Sequence, residues 1–242
     1  MVLDLGDGRV LRRYRARDHD AGLEAVAMEH ARRHGVPVPE VHGVEGPDLV
    51  MDRVDGPSML EDLLMHPERT VEHARTLAAL HRTLDRVDAP ASLGLPTPTG
   101  VRGRLLHGDL HPGNVLLSAD GPMIIDWTNV ASGPGAVDVA TSWLLIACFD
   151  HPDRVVNVTV NRLRQGFLAP FLAAVGRADA ARALSVVARI RALDPATSEI
   201  ENARALVLVQ QETARLRRDA GPPRQPAGRE PISAAWGPGP SR

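Results

Sequence analysis

The sequence contains no lysine, and all 28 of its basic residues are arginine. This absence excludes chemistry that passes through a lysine Schiff base. Any side chain that holds a phosphate by its charge must therefore be a guanidinium, which is planar and offers several donors, and not the point charge of an ammonium. A coding bias towards arginine explains the absence more simply than a functional cause does.

Cysteine is almost absent too. The one cysteine, Cys148, lies in the apolar stretch from Trp143 to Phe149. A single cysteine cannot form a disulfide within the chain, which agrees with a reducing compartment. A thiol among apolar residues is typical of a buried, unreactive cysteine and not of a nucleophile.

Long apolar runs and a large excess of one charge are also missing. No stretch of about 18 apolar residues could span a bilayer, and the N-terminus carries no signal-like apolar segment. The formal net charge is −2, so we expect no broad basic surface for nucleic acid. With 43% apolar residues, the chain can bury a substantial core as one large domain or two lobes. We therefore expect a cytoplasmic globular protein with neither a membrane nor a nucleic acid as its partner.

The most informative segment runs from His107 to Trp127 and contains Asp109, Asn114 and Asp126. Apolar residues on both sides of a Ser-Ala-Asp-Gly-Pro turn predict a β-hairpin with polar groups at its ends. Phosphoryl transfer by a kinase uses the same set of groups: one Asp that orients the acceptor hydroxyl, and an Asn and an Asp that hold Mg²⁺ on ATP. Magnesium takes few protein ligands, and all of them are oxygens.

A His-Gly-Asp turn alone has a plain structural explanation, since these residue types favour turns for backbone reasons. The combined pattern favours a kinase, because Asn114 follows Asp109 by five positions and Asp126 follows Asn114 by twelve. The spacing of five is that of the kinase catalytic loop. His107 and His111 are predicted to be structural, and no cysteine or third histidine lies near enough in sequence to suggest zinc.

This segment resembles the aminoglycoside phosphotransferase and choline kinase-like family of small-molecule kinases, which share the protein-kinase-like fold. In that family His-Gly-Asp replaces His-Arg-Asp, and segments like Ile-Asp-Trp replace Asp-Phe-Gly. The resemblance extends from about Leu3 to about Leu216 and is sharp only over residues 105–145. It implies an α+β, bilobal fold with a small antiparallel sheet in the N-lobe and a larger, mostly helical C-lobe.

The resemblance also implies roles for individual residues. Asp109 matches the catalytic Asp, whereas Asn114 and Asp126 match the ligands of Mg²⁺. Asp138 resembles a family Asp that braces the catalytic loop, and we interpret it as structural. The cofactors implied are ATP and Mg²⁺.

Residues 1–54 are predicted to form the N-lobe, with a hairpin at the start, a helix over 20–34 and two further strands. By its position, Arg12 matches the strand residue that pairs with the ATP phosphates. Arg13 is the competing residue, because neighbours in a strand point to opposite faces. Glu24 matches the helix carboxylate that pairs with this base, and Glu29 is the alternative.

The connection between the lobes is predicted at Asp52, Arg53 and Val54. In the family, adenine forms hydrogen bonds with backbone groups of this segment. The identity of these three side chains therefore says little about nucleotide binding.

The C-lobe is predicted to span residues 55–218, with helices over 58–65, 69–87, 136–149, 153–175, 178–193 and 198–218. Among its polar residues, Asp194, Glu199 and Glu201 could attract a cationic substrate, but a solvated face or helix N-terminal charges explain them better. Residues 219–242 are rich in Pro and Gly and are predicted to be a disordered tail.

One departure from the family pattern concerns the N-lobe. The family has another strand and a phosphate-covering glycine turn before the position of Met1, and Gly6-Asp-Gly8 matches the next hairpin turn better. Either the true start lies upstream, which we favour, or the lobe is truncated. A truncated lobe would lose backbone donors for the phosphates and would expose a sheet edge.

These observations predict an ATP-dependent O-phosphotransferase that acts on a hydroxyl of a small molecule, such as an aminoglycoside-like compound, an amino alcohol or a sugar. The alternative is a catalytically weak or inactive nucleotide-binding regulatory module with a truncated N-lobe. A protein kinase is less well supported, because the sequence lacks the Asp-Phe-Gly and Ala-Pro-Glu boundaries of an activation loop.

Overall fold

The computed structural model describes residues 1–14, 21–150 and 153–220. The described residues form eight strands and seven α-helices, and they have the α+β organisation that the sequence predicts: a small antiparallel sheet followed by a mostly helical part. Among them, no helix is both long and apolar enough to cross a bilayer.

The N-terminal sheet contains four antiparallel strands in the order β1-β2-β4-β3. Their bounds are Val2–Asp4 (β1), Arg9–Arg13 (β2), Val41–Glu45 (β3) and Asp48–Asp52 (β4). The predicted first hairpin is present, and Leu11 pairs with Leu3 on one side and with Val50 of β4 on the other. Strand β2 therefore lies inside the sheet and β1 at its edge.

One helix, α1 (Ala21–Arg33), packs on this sheet through a row of small residues that ends at Ala31. The helix stops where Gly35 adopts a φ of +79°, and the Val36 amide donates back to the carbonyl of Ala31. This is the pattern of a Schellman cap, which needs a residue that tolerates positive φ. The helix therefore ends one residue before the predicted limit of 34.

The helical part surrounds two short strand pairs. The helices are α2 (Met59–Met65), α3 (Thr70–Leu84), α4 (Gly135–Cys148), α5 (Arg154–Val175), α6 (Arg177–Arg191) and α7 (Glu199–Asp219). Helix α3 packs on α5, and α4 packs on α6. Helix α4 is buried along much of its length, which confirms the predicted buried helix around Cys148. Asp219 ends α7 and is helical, and residues 221–242 of the predicted tail lie outside the described residues.

The two strand pairs position the polar segment found in the sequence. Strand β5 (Arg104–Leu106) pairs with β8 (Ala131–Gly133), and β6 (Val115–Ser118) pairs with β7 (Gly121–Ile124). The second pair is the predicted β-hairpin. Its open end brings the residue before β6 next to the end of β7, since the Ile125 amide donates to the Asn114 carbonyl at 3.0 Å.

The connection between sheet and helices runs from Asp52 to Met59 and crosses the β6–β7 hairpin. The Leu117 amide donates to the Pro57 carbonyl at 2.9 Å, and the connection forms an isolated β-bridge with β6 at Ser58 and Leu116. Gly56 has a φ of +144°, and a Cβ at this position would overlap with the Leu117 carbonyl oxygen. The predicted lobe boundary between residues 54 and 55 falls in this connection and stays a prediction.

Candidate active site

A buried histidine fixes the segment that follows β5 through two hydrogen bonds. His107 is fully buried, its Nε2 lies 3.0 Å from the Ile125 carbonyl, and its Nδ1 accepts the Asp109 amide at 3.2 Å. Because Nδ1 is an acceptor, the proton of the neutral ring lies on Nε2. Burial lowers the pKa of His107 to about 4, so the ring is neutral at physiological pH. The histidine therefore joins the two segments that carry Asp109 and Asp126.

Asp109 and Asn114 are in direct contact. The amide nitrogen of Asn114 donates to the Asp109 carbonyl at 2.8 Å and to its Oδ2 at 3.2 Å. The side-chain oxygen of Asn114 therefore points away from Asp109. Burial raises the pKa of Asp109, although the charges of His111 and Arg191 act in the opposite direction.

Asp126 follows β7 in an unusual backbone conformation. Its φ is +64°, and no other non-glycine residue among those described has a positive φ. Such a conformation costs about 1–3 kcal/mol and persists only where the surroundings enforce it. Its Oδ1 accepts hydrogen bonds from Arg12 Nη2 at 2.5 Å and from Thr128 Oγ1 at 2.9 Å. Burial alone would raise the pKa of Asp126, but the hydrogen bond and charge of Arg12 lower it, so the carboxylate is ionised.

Arg12 and Glu24 connect the sheet to this segment. Arg12 Nη1 lies 3.3 Å from Glu24 Oε1, and the Arg12 side chain is only 16% exposed. The competing residues point elsewhere, since Arg13 binds Asp48 at the sheet surface and Glu29 pairs with a surface arginine of α1. Of the alternatives left open by the sequence, the structure thus brings Arg12 and Glu24 to Asp126.

Glu24 is fixed by two further groups that sequence reasoning missed. The Tyr14 hydroxyl donates to one carboxylate oxygen, and the Trp127 amide donates to the other at 3.0 Å. Burial raises the pKa of Glu24, while these donors and Arg12 act against the rise. The backbone contact to Trp127 left no signal in the sequence, because any residue supplies the same amide.

Backbone groups of the connection between the lobes are already partly used. The Asp52 amide donates to the Glu40 carbonyl and the Arg53 amide to the Gly8 carbonyl, each at 2.9 Å. The side chain of Asp52 contacts His42, and that of Arg53 binds Asp4 and Asp55. An adenine here would use the backbone at Val54 or replace one of these bonds.

Asp138 is a buried carboxylate that contacts the segment from His107 to Asn114. Asp138 Oδ1 accepts the Gly108 amide at 2.7 Å, whereas Oδ2 has no hydrogen-bond partner in the described part of the chain and lies 3.5 Å from His81 Nδ1. Burial raises the pKa of Asp138 to about 6 and lowers that of His81 to about 3. The geometry agrees with the bracing role predicted for Asp138.

Comparison with models of known protein families finds a match that covers most of the chain. The model of the phosphotransferase enzyme family matches residues 2–104 and 95–184, which is more than half of the sequence. The chain belongs to this family. This membership confirms the predicted family and makes the protein a phosphotransferase.

Solved structures of similar fold include two kinases of small molecules. The chain is similar to a choline/ethanolamine kinase family protein from Mesorhizobium loti, with 15% identity, a TM-score of 0.55 and coverage of 90% of this chain and 89% of that one. It is also similar to an aminoglycoside-3′-phosphotransferase of type VIII, with 18% identity, a TM-score of 0.52 and coverage of 88% and 93%. At these identities the likeness supports the fold alone.

A curated relative is the probable serine/threonine-protein kinase BUD32 homolog of Archaeoglobus fulgidus. The two sequences are 29% identical over 126 residues, which is 49% of this chain and 53% of the relative. The chain thus matches about half the length of this relative.

In this family member, a cavity of about 450 Å³ opens beside Asp109. Asp194 and Glu201 line it, so these two carboxylates face the site more than the sequence led us to expect, whereas Glu199 is not part of its lining. Arg164 and Arg191 also line it, and sequence reasoning had assigned them no role. They come from α5 and α6, and no sequence motif relates those helices to the segment that carries Asp109, Asn114 and Asp126.

The oxygens near Asp126 suit a hard cation. Asn114 has a side-chain oxygen that points away from Asp109, and Asp126 is ionised with one oxygen on Arg12. Among the described residues, no group of three or more His, Cys, Asp and Glu side chains could hold a metal ion. Oxygen donors in small number fit Mg²⁺, which takes its remaining ligands from water and phosphates.

Proposed function

We propose that the protein transfers the γ-phosphate of ATP to a hydroxyl of a small molecule. The observation that carries this proposal is the arrangement of Asp109, Asn114 and Asp126 at the open end of one hairpin, next to a cavity that can hold an acceptor. Family membership supports the reaction class, and the geometry supports the assignment of the residues.

In this proposal Asp109 accepts a hydrogen bond from the acceptor hydroxyl and aligns its oxygen with the γ-phosphorus. Burial raises the pKa of Asp109, so the carboxylate is a better proton acceptor than an exposed Asp. A strong base is not required, because the transition state is loose and charge builds up mainly on the phosphoryl oxygens. Positioning the hydroxyl is therefore the main contribution of Asp109.

Asn114 and Asp126 are the residues that would hold Mg²⁺, through their side-chain oxygens. The bound cation would neutralise charge on the phosphates during transfer. Arg12, fixed by Glu24, would contact the nucleotide phosphates, and its ion pair with Asp126 supports this role, because it brings the guanidinium next to a residue that would hold the cation. The chain has no lysine, so a guanidinium performs this task.

The test is a transfer assay with purified protein, ATP, MgCl₂ and a panel of amino alcohols, aminoglycosides, sugars and aryl alcohols. We expect phosphate transfer to at least one acceptor. Asp109→Asn should lower the rate at least a hundredfold and leave ATP binding intact, because Asn keeps the shape of the side chain but lacks the charged carboxylate that orients the acceptor hydroxyl. Asp120→Asn, in the exposed turn of the hairpin, is the matched control and should leave the rate unchanged.

Two rival functions are decided by the same assay. ATP binding without transfer to any acceptor would favour the regulatory module. Transfer to a serine or threonine of a protein, and to no small molecule, would favour the activity that the name of the Archaeoglobus relative states. The cavity of about 450 Å³ beside Asp109 favours a small acceptor over both.

A further inference from the structure

The cavity beside Asp109 has a mainly apolar wall. More than half of its lining residues are aliphatic, aromatic or proline, and most of these come from α2, α4 and α5. Leu60, Ile146 and Leu163 are examples on three different helices. Burial of apolar surface is worth about 25 cal/mol per Å², so this wall favours an acceptor with a hydrocarbon body.

The carboxylates of the cavity are already engaged by the chain. Glu201 Oε2 accepts the Ser198 amide at 3.0 Å and its hydroxyl at 3.2 Å, which completes a capping box at the start of α7. Asp194 Oδ1 accepts the Ala196 amide at 2.9 Å, and its Oδ2 pairs with Arg191. A cationic acceptor would therefore share these carboxylates with donors of the chain, apart from any contact with Asp109.

The two arginines of the cavity differ in how many of their side-chain nitrogens donate hydrogen bonds to the chain. Arg164 donates to the carbonyls of Ile146 and Phe149 at 2.9 and 2.7 Å and to Asn161 at 2.5 Å. In contrast, the one ion pair of Arg191 within the described ranges is loose, with Nη1 3.4 Å from Asp194. Its Nε is buried and donates to no acceptor among the described residues. Because Nε is buried, the terminal nitrogens of Arg191, which lines the cavity, are the donors that a ligand can reach, and the charge of Arg191 acts on Asp109.

We propose that the acceptor is a hydroxylated molecule with an apolar body and a carboxylate that binds Arg191. This inference rests on the proposed function, because it assumes that the hydroxyl lies at Asp109. The hydrocarbon body fills the space between α2, α4 and α5, and the carboxylate binds the terminal nitrogens of the guanidinium. An ammonium group near Arg191 would be repelled, whereas Asp194 and Glu201, which also line the cavity, already accept hydrogen bonds from the chain.

The test compares three compounds that share one hydroxylated aryl-alkyl body and end in a carboxylate, a neutral amide or an ammonium group. Binding of each to the full chain is measured by calorimetry without nucleotide, and transfer is measured separately with ATP and Mg²⁺. We expect the carboxylate to bind about tenfold or more tightly than the amide, and the ammonium compound to bind most weakly.

Variants assign the preference to its residues. Arg191→Met keeps the apolar stem and should remove the difference between carboxylate and amide, whereas Arg189→Met, on the same helix and exposed, should keep it. Leu60→Asn should weaken all three compounds by about threefold to tenfold. Met65→Asn is its control, because Met65 lies on the same helix and is 76% exposed. Leu60 is outside the hydrophobic core, so its replacement should not unfold the protein.

The outcomes separate this inference from the proposed function. Tight carboxylate binding that depends on Arg191, with no phosphate transfer, would keep the inference about the cavity and overturn the reaction. Transfer with a preference for the ammonium compound would keep the reaction and overturn the inference. Binding of none of the three compounds, or a carboxylate preference that survives in Arg191→Met, would also overturn the inference.

Discussion

Replacement of the buried Asp138 by Asn should stabilise the protein at alkaline pH. The Asn oxygen would still accept the Gly108 amide, which Asp138 Oδ1 accepts now at 2.7 Å. Ser142 Oγ donates to the Leu110 carbonyl, so His81 Nε2 must donate to Ser142 and His81 Nδ1 carries no proton. An Asn side chain would place a donor opposite this bare Nδ1, where the ionised carboxylate places a second acceptor.

The magnitude follows from the pKa of Asp138, which burial raises from 3.8 to about 6. The folded state therefore holds a proton that the unfolded state has released between these two values, and stability falls as the pH rises through this window. The raised pKa of Asp138 lowers the free energy of unfolding by about 3 kcal/mol at pH 8 and by about half of that at pH 5. The amide introduced by Asp138→Asn does not titrate, so the advantage of this variant should grow by about 1 kcal/mol from pH 5 to pH 8.

The assay is urea unfolding of the wild type and the variant at pH 5 and pH 8, followed by tryptophan fluorescence. Asp179→Asn serves as the control, because Asp179 is 77% exposed, and we expect it to change stability by no more than about 0.5 kcal/mol at either pH. A variant that is less stable than the wild type at pH 8 would refute the reasoning. So would an advantage that is equal at the two pH values.

Three further predictions concern the site and the single thiol. Arg12→Met should lower kcat/KM for ATP at least tenfold, whereas Arg13→Met should stay within about threefold of wild type, and equal losses in steady-state assays would contradict the assignment. His111→Asn keeps an acceptor for the Gly113 amide but loses the ring Nε2, which lies 3.9 Å from Asp109 Oδ2, so we expect about tenfold slower transfer at an unchanged Tm. A lower Tm at an unchanged rate would make His111 purely structural. Burial raises the pKa of the Cys148 thiol to about 11, so iodoacetamide at pH 8 should label the chain only in urea, as mass spectrometry would reveal.

The sequence predicted the parts of the site that depend on short spacings. Asn114 and Asp126 lie at the two ends of one hairpin, and the turn chemistry between them determines that they meet. The family resemblance likewise favoured Arg12, with Arg13 as the competing residue because neighbours in a strand point to opposite faces, and in the structure Arg12 contacts Asp126 whereas Arg13 contacts Asp48.

Contacts between distant segments could not be predicted in the same way. The approach of Arg191 to the catalytic segment depends on how α6 packs on α4, and ridges of small apolar residues fit in several ways. The capping box of Glu201 was readable, because Ser198-x-x-Glu201 is its standard pattern, and it explains why this carboxylate is not free for a substrate.

The fit of Gly56 against Leu117 has a consequence for anyone who maps this enzyme by random mutagenesis. Any side chain at Gly56 would overlap with the Leu117 carbonyl oxygen, so we expect it to displace the hairpin that follows Asn114 and to lower activity without removing any side chain from the site. A selection for function would rank Gly56 with the catalytic groups. Only a measurement of ligand contact would separate this spacer from them.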